Sequence, residues 1–132
     1  MQVDVVSPEK LLFSSEAVSV EIPGSDGDMT AMANHAPLIT TLRPGILRVI
    51  QEKGTSEYVV TGGFAELGET VSVLAEKAVL KADFDREMFD ELVTAAQTAL
   101  DSARANMAGD AVDMAAKFLS DFNILGENLG FK

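Results

Sequence analysis

Three observations predict an α+β chain built in two parts. Apolar residues alternate with a period of two up to about residue 82, and turn dipeptides punctuate that stretch at short intervals. Beyond it, the apolar spacing lengthens to that of a helix. Residues 1–82 therefore read as short antiparallel strands in a sandwich or barrel. Residues 83–132 read as an antiparallel two-helix hairpin.

The elements follow in order. Val18, Val20 and Ile22 alternate with Ser19 and Glu21. Leu47 and Val49 alternate with Ile46 and Arg48, and Val71 and Val73 share one parity. Such alternation lays one face of each strand on a core. Pro23-Gly24, Pro44-Gly45, Lys53-Gly54, Gly62-Gly63 and Gly68-Glu69 mark the turns between strands. In the second part, Met88, Leu92, Ala95, Ala99 and Ala103 form one helical stripe, and Ala111, Ala115, Phe118 and Phe122 form another. Between them, Gly109 suits a left-handed cap and Asp110 the next N-cap. A seam rich in alanine allows close approach but buries little area, so the hairpin should be the weaker part.

Composition closes off several classes of function. With no cysteine there is no disulfide and no thiolate chemistry. One histidine cannot form a histidine metal cluster. No apolar run approaches the roughly 20 residues of a membrane span, and the N-terminus lacks the basic head and apolar block of a secretory signal. A net charge of −11 opposes binding to nucleic acid or anionic lipid, while leaving protein partners open.

Candidate chemistry is sparse. His35, in Asn34-His35-Ala36-Pro37, has no nearby Ser-His-Asp spacing and no GxSxG elbow, so it reads as locally bonded and packed rather than catalytic. No phosphate-binding glycine motif is present, and the acidic stretch Gly24-Ser25-Asp26-Gly27-Asp28 reads as a solvated hairpin turn. Asp101 and Arg104 read as an exposed ion pair at i, i+3. These residues alone suggest a binding or regulatory protein without an active site. A free-standing β-sandwich that binds a small ligand under a helical lid is the alternative to a subunit of a larger assembly.

Longer motifs carry a resemblance. VVSPEKLLFSSEAVSVEIPGSDGDM, NHAPLITTLRPGILRV and GGFAELGETVSVLAEKA, in that order from Val3 to about Ala78, resemble the epsilon subunit of bacterial F-type ATP synthases. The chain departs from the family at Ala31-Met32-Ala33-Asn34, where relatives commonly carry a proline. The resemblance implies a ten-stranded sandwich followed by two helices. It also implies a non-catalytic rotor subunit that couples ring rotation to ATP synthesis, peripheral on the cytoplasmic face of the bacterial inner membrane. By the same resemblance, Ser7, His35, Ala36, Pro37, Leu38 and Thr40 face the gamma subunit, and Asp26, Gly27 and Asp28 face the c-ring. Contact with the alpha and beta subunits is implied only if the hairpin extends.

The hairpin matches that family by position and length alone. Some relatives bind ATP at the start of the first helix; here Asp85 keeps the aspartate, but Met88 and Phe89 stand where arginine and alanine are required. ATP is therefore not expected as a ligand. The string LDSARA at 100–105 fits the ATP motif but lies about four turns too late. Inhibitory relatives use a basic second helix, whereas residues 106–132 carry Asp110, Asp113, Asp121 and Glu127 against Lys117 and Lys132. A mainly structural hairpin follows, a weak inhibitor at best. Gly126 and Gly130 should weaken its end by about 1 kcal/mol each.

Overall fold

The computed structural model describes residues 1–131, so Lys132 lies outside the described residues. The chain divides into two compact units, the second starting at Phe84.

The first unit holds ten strands: β1 (Gln2–Val6), β2 (Leu11–Glu16), β3 (Ser19–Gly24), β4 (Gly27–Met32), β5 (Leu38–Thr41), β6 (Gly45–Gln51), β7 (Gly54–Val60), β8 (Gly63–Leu67), β9 (Val71–Ala75) and β10 (Ala78–Leu80). They form two five-stranded sheets, β2-β1-β9-β8-β5 and β10-β7-β6-β3-β4. Two separate sheets make this a sandwich rather than a barrel. Every pairing is antiparallel except β1 with β9.

Alternation places the core. Val3, Val5, Val20, Leu47, Val49, Val71 and Val73 are fully buried, and Ile22 nearly so. Each such side chain contributes about 1.5–3 kcal/mol relative to exposure. Val18 differs from its expected place. It is 54% exposed because β3 begins at Ser19, and its amide bonds the Ile50 carbonyl from outside the strand. Lys81–Asp83 form a short 3-10 turn that ends the unit.

The second unit contains α1 (Arg86–Ala105) and α2 (Gly109–Leu129). The inner face of α1 is Phe89, Ala96, Leu100 and Ala103. Of the predicted stripe only Ala103 is buried; Met88 and Leu92 are half-buried, and Ala95 and Ala99 are exposed. On α2, Phe122, Leu125 and Gly126 are buried, Ala115 is half-buried, and Ala111 and Phe118 are exposed. The largest side chains choose the seam. Phe89 and Leu100 turn the buried face of α1 away from the alanine row.

Gly126 makes room for this packing. A Cβ there would come within 2.3 Å of the Phe89 ring, so Phe89 sits directly on the α2 backbone. Phe131 completes an aromatic group, its ring centroid 5.3 Å from that of Phe89 and 6.2 Å from that of Phe84.

The helix ends also differ from expectation. The left-handed residue after α1 is Met107, at φ 53°, not Gly109. The Met107 amide donates to the Arg104 carbonyl and the Ala108 amide to the Ala103 carbonyl, closing a Schellman turn two residues early. Gly109 then opens α2, whose N-cap is Ala108 with no capping side chain, so Asp110 lies inside the first turn. Gly130 is not a helix-interior liability. It is the left-handed cap of α2, at φ 77°.

Candidate functional site

His35 lies in the loop between β4 and β5. Asn34 before it adopts φ 62°, a left-handed conformation that asparagine tolerates better than most residues. His35 Nδ1 lies 2.6 Å from the Ala36 carbonyl oxygen, so the ring is engaged by its own loop. The ring is half-buried, and Ala36 and Pro37 are exposed beside it. Among the described residues, no group of three His, Cys, Asp or Glu side chains could hold a metal ion.

Register defines the surface that this loop borders. Val3, Val5, Ala65, Leu67, Val71 and Val73 point into the core, so Asp4, Val6, Phe64, Glu66, Ser72 and Leu74 occupy the outer face of the first sheet. Leu11, Val6, Leu74, Phe64 and Thr41 pair successively across five strands, giving one nearly continuous apolar row. Leu11 is 60% exposed, and Ile39, in the adjacent row, is 67% exposed. Single exposed apolar residues are ordinary, but a row across a sheet marks a contact surface. A shallow groove of about 370 Å³ runs beside the row, lined in part by Ser7, Pro8, Phe64 and Leu74.

The rest of this face is polar and ordered. The Ser14 hydroxyl donates to Asp4 at 2.6 Å, and the Gln2 amide donates to both Asp4 and Ser14 at 3.1 Å. The Ser14 bond first, then the Gln2 bond, hold the Asp4 carboxyl below the usual carboxylate range.

The residues that the resemblance places against the gamma subunit therefore share one sheet but not one spot. Ser7 closes the β1–β2 turn, with its amide on the Lys10 carbonyl at 2.9 Å, at the end of the sheet that carries the apolar row. His35 precedes β5, whose Leu38 pairs with Leu67 at the other end of β8. The two thus mark diagonal corners. Leu38 and Thr40 pair with buried Leu67 and Ala65, so Ile39 and Thr41 hold the outward positions of β5. Leu38 is still 43% exposed because β5 is an edge strand. Sequence reasoning missed Val6, Leu11, Ile39, Phe64 and Leu74. The signal was available at Phe64, an aromatic residue out of phase with the inward Ala65 and Leu67.

Asp26, Gly27 and Asp28 lie at the β3–β4 turn. Gly24 pairs with Gly27, leaving Ser25-Asp26 as a two-residue turn, and Gly27 takes φ 138°. The turn is braced from β5 and the residues after it. The Ser25 amide donates to the Thr41 carbonyl at 2.9 Å, and the Thr41 hydroxyl donates to Ser25 Oγ at 2.8 Å. Arg43 donates to the Gly24 carbonyl at 2.6 Å and ion-pairs with Asp28. Both acids are exposed; Asp28 is paired with Arg43, and Asp26 stands at the tip.

Asp85 has a structural role. Its carboxylate accepts from the Met88 amide at 2.8 Å as the N-cap of α1. In LDSARA, Asp101 accepts from Gln97 at 3.0 Å, and no Asp101–Arg104 ion pair forms among the described residues.

Known proteins agree with this architecture. Residues 1–81 match the family profile of the ATP synthase delta/epsilon chain β-sandwich domain. An ATP synthase epsilon chain of Fuscovulum blasticum is 50% identical over 132 residues, covering 99% of this chain and 97% of the relative. One of Rhodobacter capsulatus is 47% identical over 130 residues, covering 98% and 96%. A chain of the Euglena gracilis mitochondrial ATP synthase superposes with a TM-score of 0.71 at 24% identity, over 96% of this chain and 79% of that one. One from the Tetrahymena thermophila mitochondrial ATP synthase central stalk and c-ring gives 0.56 at 14% identity, over 89% and 95%. These two structures speak to the fold alone. The sandwich profile and the near full-length relatives place this chain in the ATP synthase delta/epsilon chain family.

Proposed function

We propose that this chain is a non-catalytic rotor subunit of an F-type ATP synthase, coupling c-ring rotation to ATP synthesis in the catalytic head. The outer face of the sheet β2-β1-β9-β8-β5 packs on the gamma subunit, with Ser7 and the His35–Thr40 segment at its corners. The Asp26–Asp28 turn meets the c-ring. The braced Arg43–Asp28 pair suits a loop that must carry torque, and exposed Asp26 suits a basic or amide-bearing partner loop. The subunit is held on the cytoplasmic face of the membrane through its partners; no helix among the described residues is long and apolar enough to cross a bilayer.

The observation that carries this reading is the outward row of exposed Leu11, Leu74 and Phe64 with half-buried Val6, which a free-standing module would have no reason to present. Phe64→Asp buries an unpaired charge in that contact without touching the core. It should weaken co-elution with gamma by at least about tenfold, while the melting temperature stays near that of the parent. Unchanged co-elution overturns the assignment of this face, and no complex with the parent chain overturns the subunit reading.

For the hairpin we infer a structural role with little inhibition. The seating of Phe89 on Gly126 favours a closed pair of helices, and the acids of α2 oppose an acidic partner. Lys132, counted among the few bases of this segment, lies outside the described residues. Adding back full-length chain or residues 1–82 to a depleted catalytic head should give equal ATP hydrolysis rates.

A further inference from the structure

The hairpin carries an apolar stripe that its own seam does not use. Ala111, Met114 and Phe118 recur at i, i+3 and i+7 on α2, outside the buried positions Phe122, Leu125 and Gly126. Met114 is 74% exposed, and Met107, at the strained turn that starts this end, is 90% exposed. Phe118 keeps an edge-on contact with Phe122, at a centroid distance of 5.3 Å, so its ring is pre-positioned rather than free to rotate away. Methionine side chains of this kind adapt to varied apolar partners.

Charge narrows the occupant. Residues 84–131 carry nine acidic side chains against three basic ones. Asp110 borders the stripe and Asp113 lies one position further round the helix, both exposed. Lys117 is paired with Asp121 at 3.0 Å, so it does little to offset the field. A second copy of this chain would bring the same acids to the contact and be repelled. We propose that this stripe docks a basic amphipathic helix of another protein, with apolar residues on Met107, Met114 and Phe118 and Lys or Arg facing Asp110 and Asp113. This surface is separate from the sheet face assigned to gamma and does not depend on that assignment.

The test uses the full chain and two synthetic 18-residue helices with leucine at heptad spacing, one filled out with lysine and one with glutamate. The lysine helix should bind and shift amide resonances confined to residues 107–121. The glutamate helix should bind at least about tenfold more weakly. Met107→Gln with Met114→Gln should weaken the lysine helix by a similar factor, and Val18→Gln, at an exposed apolar position on the sandwich, should not. Equal affinity for both helices overturns the proposal. So do shifts centred on Val6, Phe64 and Leu74, an affinity unmoved by the methionine substitutions, or a dimer of this chain that those substitutions dissolve.

Discussion

The two units solve the burial problem in opposite ways. The sandwich spreads its stability over many equivalent positions, with eight valine and leucine side chains from five strands each fully buried. The hairpin concentrates it. Its buried set is short, four residues of α1 and three of α2, and at its base one ring, Phe89, rests on one glycine, Gly126. Period-two burial is redundant, because every second residue of every strand contributes. A two-helix seam is not redundant, because each turn offers about one inward position.

The largest expected effect breaks the platform. Leu47→Ala removes a fully buried side chain at the centre of β6, where neighbours from both sheets cannot collapse into the space. It should cost about 3 kcal/mol and lower the thermal midpoint by roughly 10 °C or more. A loss under about 1 kcal/mol would mean that the sandwich core is more pliable than its burial indicates. The next effect probes the concentrated contact. Gly126→Ala gains about 1 kcal/mol of helix propensity but sets a methyl 2.3 Å from the Phe89 ring. Overpacking of that kind costs about 1–3 kcal/mol, so the net change is destabilising and confined to α1 and α2. Hydrogen exchange should quicken there and stay unchanged in the strands. Phe89→Leu in the same chain should relieve the clash, a coupling that a purely local helix effect would not show.

The same contrast decided what could be read from the chain. Strand parity was legible at Val20, Ile22, Leu47, Val49, Val71 and Val73, because alternation fixes the face once a strand is assigned. The hairpin's existence was legible too, but its rotation was not. Alanine fits inside or outside a helix seam, so Ala95, Ala99 and Ala111 gave a stripe that the larger Phe89 and Leu100 overrode. Gly126 looked like a weak point because its use depends on a residue 37 positions away. The outer apolar row was hidden for a related reason. Leu11, Val6, Leu74 and Phe64 become neighbours only through sheet order, and parallel pairing of β1 with β9 follows from no local signal.

The smallest effect tests where the hairpin begins. Asp85 is the aspartate that a nucleotide-binding relative would use, yet its carboxylate already accepts from the Met88 amide at 2.8 Å. As an N-cap it also places a negative charge at the positive end of α1. Asp85→Ala should therefore cost about 1 kcal/mol, read as faster exchange of the first-turn amides of α1. Asp85→Asn keeps the acceptor oxygen and loses only the charge, so it should cost no more than about half as much. A nucleotide ligand would report differently. Millimolar ATP would raise the melting temperature of the parent chain and fail to raise it in either variant. With Met88 and Phe89 in place of the arginine and alanine that such a site requires, ATP should leave all three melting temperatures where they were. A parent chain stabilised by ATP would make Asp85 a ligand as well as a cap, and the hairpin a sensor rather than a strut.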